Sequence, residues 1–360
     1  MQKVILNPLV LPDDAPLRRR HIVPDRYRLP GYDETYDFTT LAYDVVWMPR
    51  ARAILLVCPK LLNLESLLKD GRIEADGTAL PRPRIKRYRR HDEVWIACRT
   101  RPAEMVIRHG TLELRAAVSP QETAFDGANV LMTKSKDNAL EWLTDWALHH
   151  RRDQGADAAL LFDNGSTTYG LEDARHAIGA GAGIAASAAI ASDFPFGSWK
   201  ASKLIHRSMF YQAGMLNLAR HRFLARARAA LLIDIDELVC GESAFDAAVA
   251  SHLGYVTMPS YWRYSNLDND RMPRHADHIW RKKDDAFSKG KYALVPNRWF
   301  TRTAWDIHGI HRYAFNRFVT LPDTRILHCE HISTGWKRKR DAVQAEALLR
   351  DPRAETEIRC

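Results

Sequence analysis

Several common signatures are missing from this chain of 360 residues. Its five cysteines are scattered and never form a Cys-x-x-Cys pair, which argues against a disulfide scaffold and against a cysteine-based zinc site. No apolar run approaches the roughly 20 residues that cross a bilayer. Residues 1–30 lack the apolar core and the cleavage site of a signal peptide. We therefore expect a cytoplasmic protein.

Glycine-rich phosphate loops and nucleic-acid motifs are also missing. The chain has neither a Gly-x-Gly-x-x-Gly after its first α/β strand nor a P-loop, so the dinucleotide and P-loop classes lose their main support. It has no RNP-like strand, zinc finger or evident helix-turn-helix, and we expect no nucleic-acid partner. The net charge is +9, and basic residues cluster at four places, namely Arg18–Arg20, Arg82–Arg90, Arg220–Arg228 and Lys337–Arg340. We interpret them as solvated surface, with an anionic partner as the alternative.

The remaining composition, 46% hydrophobic and 27% charged, is that of a folded protein with room for two domains. Residues 1–31 form an arm that is rich in proline and arginine. Residues 32–125 contain short strand-like runs between turn signals, which predict a β-rich accessory domain. Residues 126–345 show a different pattern, and residues 346–360 form a tail.

Strand and helix patterns alternate from residue 126 onward. The predicted strands are Val130–Thr133, Ala158–Phe162, Gly183–Ile190 and Ala229–Leu238. A helix follows the first strand, with Asn138 as its expected N-terminal cap. A second helix covers Leu171–Ala180, and a long one covers Ala201–Arg220. Crossovers of helix length predict an α/β fold with a mostly parallel sheet flanked by helices.

Polar residues follow these strands, at the edge where parallel sheets bind ligands. They include Thr133, Asp163, Asn164 and the Asp234–Glu237 run. Side chains alternate along a strand, so we expect Asp234 and Asp236 on one face. Two such carboxylates repel each other unless a cation compensates, and Mg²⁺ or Mn²⁺ with phosphate oxygens is the natural partner. For Asp163, a simple Asx turn remains an equal alternative.

In order and spacing, these residues resemble GT-A fold glycosyltransferases, in particular family 92 and family 2-like bacterial capsular polysaccharide enzymes. The resemblance runs from about Asn129 to Lys339. The matching pieces are Leu140–Leu143 with His149 and Gly155, Leu161–Ser166, Gln212 with Asn217, Asp234–Leu238, Lys291–Pro296, His308–His311 and His328. Ser135–Asp137 departs from the Lys-Asn-Glu that these families often carry there.

The resemblance implies an inverting transfer from a nucleotide-sugar donor, most often a UDP-sugar, to a saccharide or glycolipid acceptor with the help of Mn²⁺ or Mg²⁺. It implies that Thr133, Asp163, Asn164 and Asp234 contact the donor, with Lys203 and Lys337 as further candidates. Metal ligands would come from Asp234, Asp236, His308 and His311. Candidates for the catalytic base are Asp268, Asp270, Asp277 and Asp306. Surface polysaccharide or glycoconjugate synthesis is the expected setting. The basic clusters suit docking on an anionic acceptor or a peripheral contact with an anionic inner membrane face.

Other interpretations stay open. A nucleotidyltransferase or a metal-dependent phosphohydrolase also uses paired carboxylates, and a non-catalytic GT-A-like domain would only bind carbohydrate. His328–His331 could join the other histidines in a zinc cluster. The aromatic run Tyr261–Tyr264 is typical of packing, and stacking on a sugar is the alternative.

Overall fold

The computed structural model describes residues 4–202, 208–266, 271–285, 287–311, 313–333 and 348–358. The chain divides into two compact units. The α/β unit takes in Met1–Val4, Thr123–Ser192 and Leu224–Cys360, and the β-rich unit takes in Ile5–Glu122 and Asp193–Phe223. The sequence pattern groups residues 193–223 with the α/β region, whereas the contacts in the structure group them with the β-rich unit.

The β-rich unit is built from two four-stranded antiparallel sheets, ordered β10-β9-β5-β6 and β3-β4-β8-β7, and a β1-β2 pair. Its strands are β1 (Leu9–Val10), β2 (Thr40–Ala42), β3 (Asp44–Met48), β4 (Ala53–Cys58), β5 (Arg72–Ala75), β6 (Thr78–Ala79), β7 (Arg84–Arg87), β8 (Asp92–Ala97), β9 (Glu104–His109) and β10 (Leu112–Ala117). The short strands that the sequence predicts between residues 32 and 125 are therefore present. Their alternating apolar residues form one core, which includes Ile54, Leu56 and Ile107.

The strands of the α/β unit are β11 (Asn129–Ser135), β12 (Ala158–Asp163), β13 (Ala186–Ala191), β14 (Ala229–Leu232), β15 (Glu237–Cys240), β16 (Tyr255–Arg263), β17 (Trp280–Arg281), β18 (Phe287–Leu294), β19 (Trp305–Asp306), β20 (Gly309–Ile310), β21 (Arg325–Cys329) and β22 (Leu349–Arg350). Eight of them form one sheet in the order β13-β12-β11-β14-β18-β16-β21-β15. The first four are parallel, as predicted. The others make the sheet mixed, because β18 runs antiparallel to both β14 and β16.

The α-helices are α1 (Glu65–Lys69), α2 (Leu140–Gln154), α3 (Leu171–Ile178), α4 (Phe210–Leu218), α5 (Ala244–Ala250) and α6 (Pro352–Glu357). Helix α2 packs Leu143 and Trp146 onto the strand residues Leu131 and Leu161 in the core of the α/β unit. No helix among the described residues combines the length and the hydropathy needed to cross a membrane.

Two local predictions about helices are wrong. Helix α2 has Ala139, not Asn138, at its N-cap, because the Asn138 amide donates to Ser135 Oγ at 2.8 Å instead of capping the helix. The predicted long helix over Ala201–Arg220 is not helical at residues 201, 202, 208 and 209, and residues 203–207 lie outside the described residues. Helix α4 begins at Phe210, and a π-helix follows it over Ala219–Phe223.

The π-helix also corrects the prediction that Arg220–Arg228 is wholly solvated surface. Arg220 and Arg222 are buried, with relative exposures of 7% and 3%. Arg222 Nη1 lies 2.5 Å from Asp44 Oδ2, and Arg220 Nη1 lies 3.3 Å from Glu93 Oε1. Carboxylates from distant strands therefore neutralise these arginines inside the β-rich unit.

The strand order places a topological switch point in the α/β unit. From β11 the chain proceeds to β12 and β13 on one side, and then returns to β14 on the other side. At such a point the loops that leave two adjacent parallel strands diverge and open a crevice at their carboxyl ends. In this chain that position lies between Ser135 at the end of β11 and the residues that follow Leu232 at the end of β14.

Candidate functional site

The Asp234–Glu237 run forms a turn at the switch point. Strand β14 ends at Leu232 and β15 begins at Glu237, so neither aspartate lies within a strand. The Asp234 N–H donates to Glu237 Oε2 at 2.9 Å, and the Glu237 N–H donates to Asp234 O at 3.2 Å. The expectation that Asp234 and Asp236 share one strand face is therefore wrong. Their side chains have separate partners.

Two lysines hold the Asp234 carboxylate. Lys134, near the end of β11, places Nζ 3.1 Å from Asp234 Oδ1, and Lys291 of β18 bonds to Asp234 Oδ2. Both lysine side chains are almost fully buried, with exposures of 6% and 4%, whereas that of Asp234 is 27% exposed. The sequence suggested a metal ion as the partner of the Asp234 charge, but two lysines of the chain itself balance that charge.

Lys291 also reaches the buried Glu237, with Nζ 3.2 Å from Oε2. Burial lowers the pKa of Lys291, but the Asp234 and Glu237 carboxylates outweigh it and raise that pKa above its usual value. Burial raises the pKa of Glu237 even though Lys291 acts in the opposite direction. Lys291 therefore remains charged, and it anchors both ends of the turn.

Asp236 pairs with His328 on β21. His328 Nε2 lies 3.2 Å from Asp236 Oδ2, and its ring stacks on Trp262 of β16 with centroids 3.8 Å apart and planes 22° apart. Burial lowers the pKa of His328, and the adjacent Asp236 carboxylate more than reverses this, so the pKa is raised overall. A carboxylate, an imidazole and an indole face thus meet beside the turn.

A second layer fixes the backbone of this turn. The buried His275 donates from Nε2 to Ile235 O at 2.9 Å. Its Nδ1 lies 3.8 Å from Asp145 of α2, and Asp145 also accepts from Arg274 Nε at 2.6 Å. Helix α2 therefore supports the turn through Asp145 and His275, which restricts where the two aspartates can point.

Of the two predicted histidine ligands, His308 lies close enough to the Asp234–Glu237 turn for the charges of Lys291 and Asp234 to act on its pKa. His308, in the β19–β20 hairpin, donates from Nδ1 to Gly290 O at 3.1 Å. Burial, followed by the charge of Lys291, lowers the pKa of His308 to about 3, so the ring is neutral and Nε2 is its acceptor nitrogen. His311 is exposed. Among the described residues, no group of three or more His, Cys, Asp or Glu side chains is arranged to hold a metal ion, so the four predicted ligands do not form one cluster.

The predicted nucleoside contacts at the ends of β11 and β12 take part in loop structure. Asp163 accepts from the Ser166 N–H at 2.9 Å, which is the Asx-turn alternative. Asn164 donates from Nδ2 to Ser192 O at 2.8 Å. Thr133 is fully buried, and its hydroxyl has no hydrogen-bond partner in the described part of the chain. The adjacent Lys134, rather than Thr133, reaches the acidic turn.

Two of the four candidates for the catalytic base, Asp277 and Asp306, lie among the described residues. Asp306 is half-buried, and its Oδ1 accepts the Ile307 N–H at 2.8 Å. Burial raises the pKa of Asp277, but hydrogen bonds from Arg271 and from the Arg274 N–H lower it overall, so Asp277 remains an ionised structural group. Asp268 and Asp270, together with the donor-binding candidates Lys203 and Lys337, lie outside the described residues.

The sequence predictions gave no role to Lys134, Lys291 or His275. Lys291 begins the Lys291–Pro296 piece noted in the sequence, and it directly precedes the apolar end of a strand, Tyr292–Leu294. Lys134 follows the first apolar strand and so stands at the ligand-binding edge. In the sequence, both lysines look like solvated surface residues. The pairing of β11 with β14 brings Lys134 to Asp234, and the pairing of β14 with β18 brings Lys291 there.

Comparisons with known proteins add little to this description. No protein-family model and no curated protein sequence matches the chain. Among solved structures, the galactosyltransferase LgtC in complex with donor and acceptor sugar analogs is similar over 54% of this chain and 67% of that chain. The sequence identity is 16% and the TM-score is 0.28. A likeness at this level establishes neither the fold family nor the activity.

Proposed function

We propose that the α/β unit is a GT-A type glycosyltransferase domain that moves a sugar from a UDP-sugar to a saccharide or glycolipid acceptor with inversion. The observation that carries the proposal is the contact between Lys134 and Asp234, at 3.1 Å, across the switch point between β11 and β14. Open α/β sheets bind their ligands at this position. The order of the sequence motifs supports the same function, in surface polysaccharide or glycoconjugate synthesis.

The buried lysines suit a diphosphate leaving group. As the bond between the anomeric carbon and the phosphate oxygen breaks, negative charge accumulates on the diphosphate, and fixed cations stabilise it. Lys134 and Lys291 are held in place by Asp234 and Glu237, so little reorganisation is needed when the donor binds. In this proposal Asp234 positions the lysines, while Asp163 and Asn164 lie on the nucleoside side.

A divalent ion, Mn²⁺ or Mg²⁺, is part of the proposal. Asp236 and His328 offer a carboxylate and an imidazole side by side, and these two residues would hold the ion. A small ligand set suits ions that take substrate phosphate oxygens for their remaining positions. When bound, the ion would act as a Lewis acid toward the diphosphate. Asp234, which is already held by two lysines, is the less suitable ligand.

The chain's own residues account for other parts of the reaction. The Trp262 indole, half-buried against His328, offers a face on which a sugar ring can stack. An inverting transfer requires a base that takes the proton of the acceptor hydroxyl. Asp277 is held by Arg271 and the Arg274 N–H, which leaves Asp306 among the described candidates, with Asp268 and Asp270 as the others.

Binding of UDP in the presence and absence of Mn²⁺ tests the proposal, with the wild type, Asp236→Ala and the control Asp284→Ala. Asp284 is an exposed carboxylate of the same unit. We expect UDP affinity that rises with Mn²⁺ in the wild type and in the control, and a loss of that rise in Asp236→Ala. A UDP affinity that changes neither with Mn²⁺ nor in Asp236→Ala would contradict the metal assignment. Slow hydrolysis of one donor from a panel of UDP-sugars would then identify the sugar.

A further inference from the structure

Three exposed aromatic side chains lie together on the α/β unit. Trp299 is 64% exposed, Phe318 is 67% exposed and Phe315 is 45% exposed. The last two belong to the 3-10 helix Tyr313–Phe318. Together with Arg302 and Arg317, these rings form what we term the aromatic patch. Large aromatic rings are usually buried, so a group of them on the surface is typical of a site that contacts another protein, a ligand or a membrane.

The rings are linked to one another through a buried anchor. Trp299 lies 5.4 Å from Phe300, and Phe300 lies 5.3 Å from Phe315, measured between centroids. Phe315 in turn lies 6.4 Å from Phe318. Phe300 is only 2% exposed, so it fixes the surface rings in the fold. The patch is therefore one built surface and not a set of unrelated exposed side chains.

Two exposed arginines, Arg302 and Arg317, belong to the patch. The Arg317 guanidinium lies 4.6 Å from the centroid of the Phe318 ring. Arg302 is exposed, and its Nε donates to Asn297 O at 2.6 Å. Exposed aromatic rings beside arginines match the boundary of a bilayer, where rings enter the acyl layer and arginines meet lipid phosphates.

We propose that the aromatic patch docks the protein on a bilayer surface that contains anionic lipid. A soluble polysaccharide is the less suitable partner, because two of the three exposed rings are phenylalanines, which offer no hydrogen bond to a sugar hydroxyl. The patch adjoins the β19–β20 hairpin, since Asn316 of the same 3-10 helix donates from Nδ2 to His308 O at 3.3 Å. The docking is independent of the proposed transferase activity, because it rests on no residue of the acidic turn.

Flotation with lipid vesicles tests this docking. The full chain is mixed with vesicles of phosphatidylcholine alone, or of phosphatidylcholine with phosphatidylglycerol, at low and at high salt. We expect the wild type to float with the anionic vesicles and to be partly released by salt. The double variant Trp299→Ser/Phe318→Ser should weaken partitioning by roughly tenfold or more. Arg317→Gln should reduce the preference for the anionic vesicles.

Phe287→Ser is the matched control, since Phe287 is an equally exposed phenylalanine, at 66%, outside the patch. It should float as the wild type does. Phe318→Ser alone replaces the double variant if that protein does not fold. Failure of the wild type to float, or flotation that survives loss of the patch rings, would overturn the proposal. So would binding to a soluble acidic polysaccharide in place of vesicles.

Discussion

Replacing Lys291 by methionine should destabilise the α/β unit strongly. The substitution keeps most of the side-chain volume and removes the cation that lies 3.2 Å from Glu237 and bonds to Asp234. At that distance, the attraction between Lys291 and Glu237 is about 5 kcal/mol at an effective dielectric constant of about 20. Part of it is offset because a methionine needs no desolvation. Removal of one partner from a buried ion pair costs about 3–5 kcal/mol, and we expect a loss in that range.

Urea unfolding of the wild type, Lys291→Met, Glu237→Gln and the double variant measures this loss. The double variant should recover part of the stability, because the uncompensated carboxylate at position 237 is gone. The loss in Lys291→Met should also shrink as the pH falls, since burial already raises the pKa of Glu237 and a protonated Glu237 needs no cation. A change below about 0.5 kcal/mol at neutral pH, within the range of ordinary surface substitutions, would refute the reasoning.

Three further predictions concern other buried groups. His150 donates from Nδ1 to Trp146 O and accepts the Val239 N–H at Nε2, and burial holds its pKa well below the usual value. The unfolded state takes up a proton below pH ~6.5 while the folded state keeps the ring neutral, so acidification from pH 7 to 5 should lower the free energy of unfolding, and His150→Gln should remove this part of the pH dependence of the urea midpoint. Arg263→Met leaves Asp351 and Asp285 without their buried partner and should lower the stability by about 3–5 kcal/mol in thermal or urea unfolding, whereas a neutral result would show that the pairs are dispensable. His275→Ala removes the hydrogen bond to the Ile235 carbonyl. It should reduce the free energy of UDP binding by more than it reduces the free energy of unfolding, and equal losses in the two free energies would contradict its role in positioning the turn.

The sequence predicted the parallel half of the sheet because each strand there is a short apolar run between polar ends. It did not predict where β14 stops. Ile233 and Ile235 continue the apolar alternation, and nothing local shows that the Glu237 carboxylate will cap the Asp234 N–H. The turn replaces the strand geometry on which the shared face of Asp234 and Asp236 depended.

The lysine partners of Asp234 could not be predicted from the sequence, for a different reason. Lys134 and Asp234 are 100 residues apart, and they meet only because β14 pairs with β11. Arg222 is buried in the same way, through Asp44 from 178 residues away. Composition alone assigns such charged residues to the surface, and long-range strand pairing decides which of them a carboxylate neutralises.

The most direct test of the central claim is the affinity of UDP for wild type, Lys134→Met and Lys283→Met, measured by calorimetry with Mn²⁺ present. Lys283 is an exposed lysine of the same unit and controls for the lost charge. A charge-assisted hydrogen bond to a phosphate is worth about 1.5–3 kcal/mol, so Lys134→Met should weaken UDP binding by roughly tenfold or more, and Lys283→Met should leave it unchanged. A wild type that binds no UDP, or equal affinity in wild type and Lys134→Met, would contradict a nucleotide-sugar site at the β11–β14 switch point.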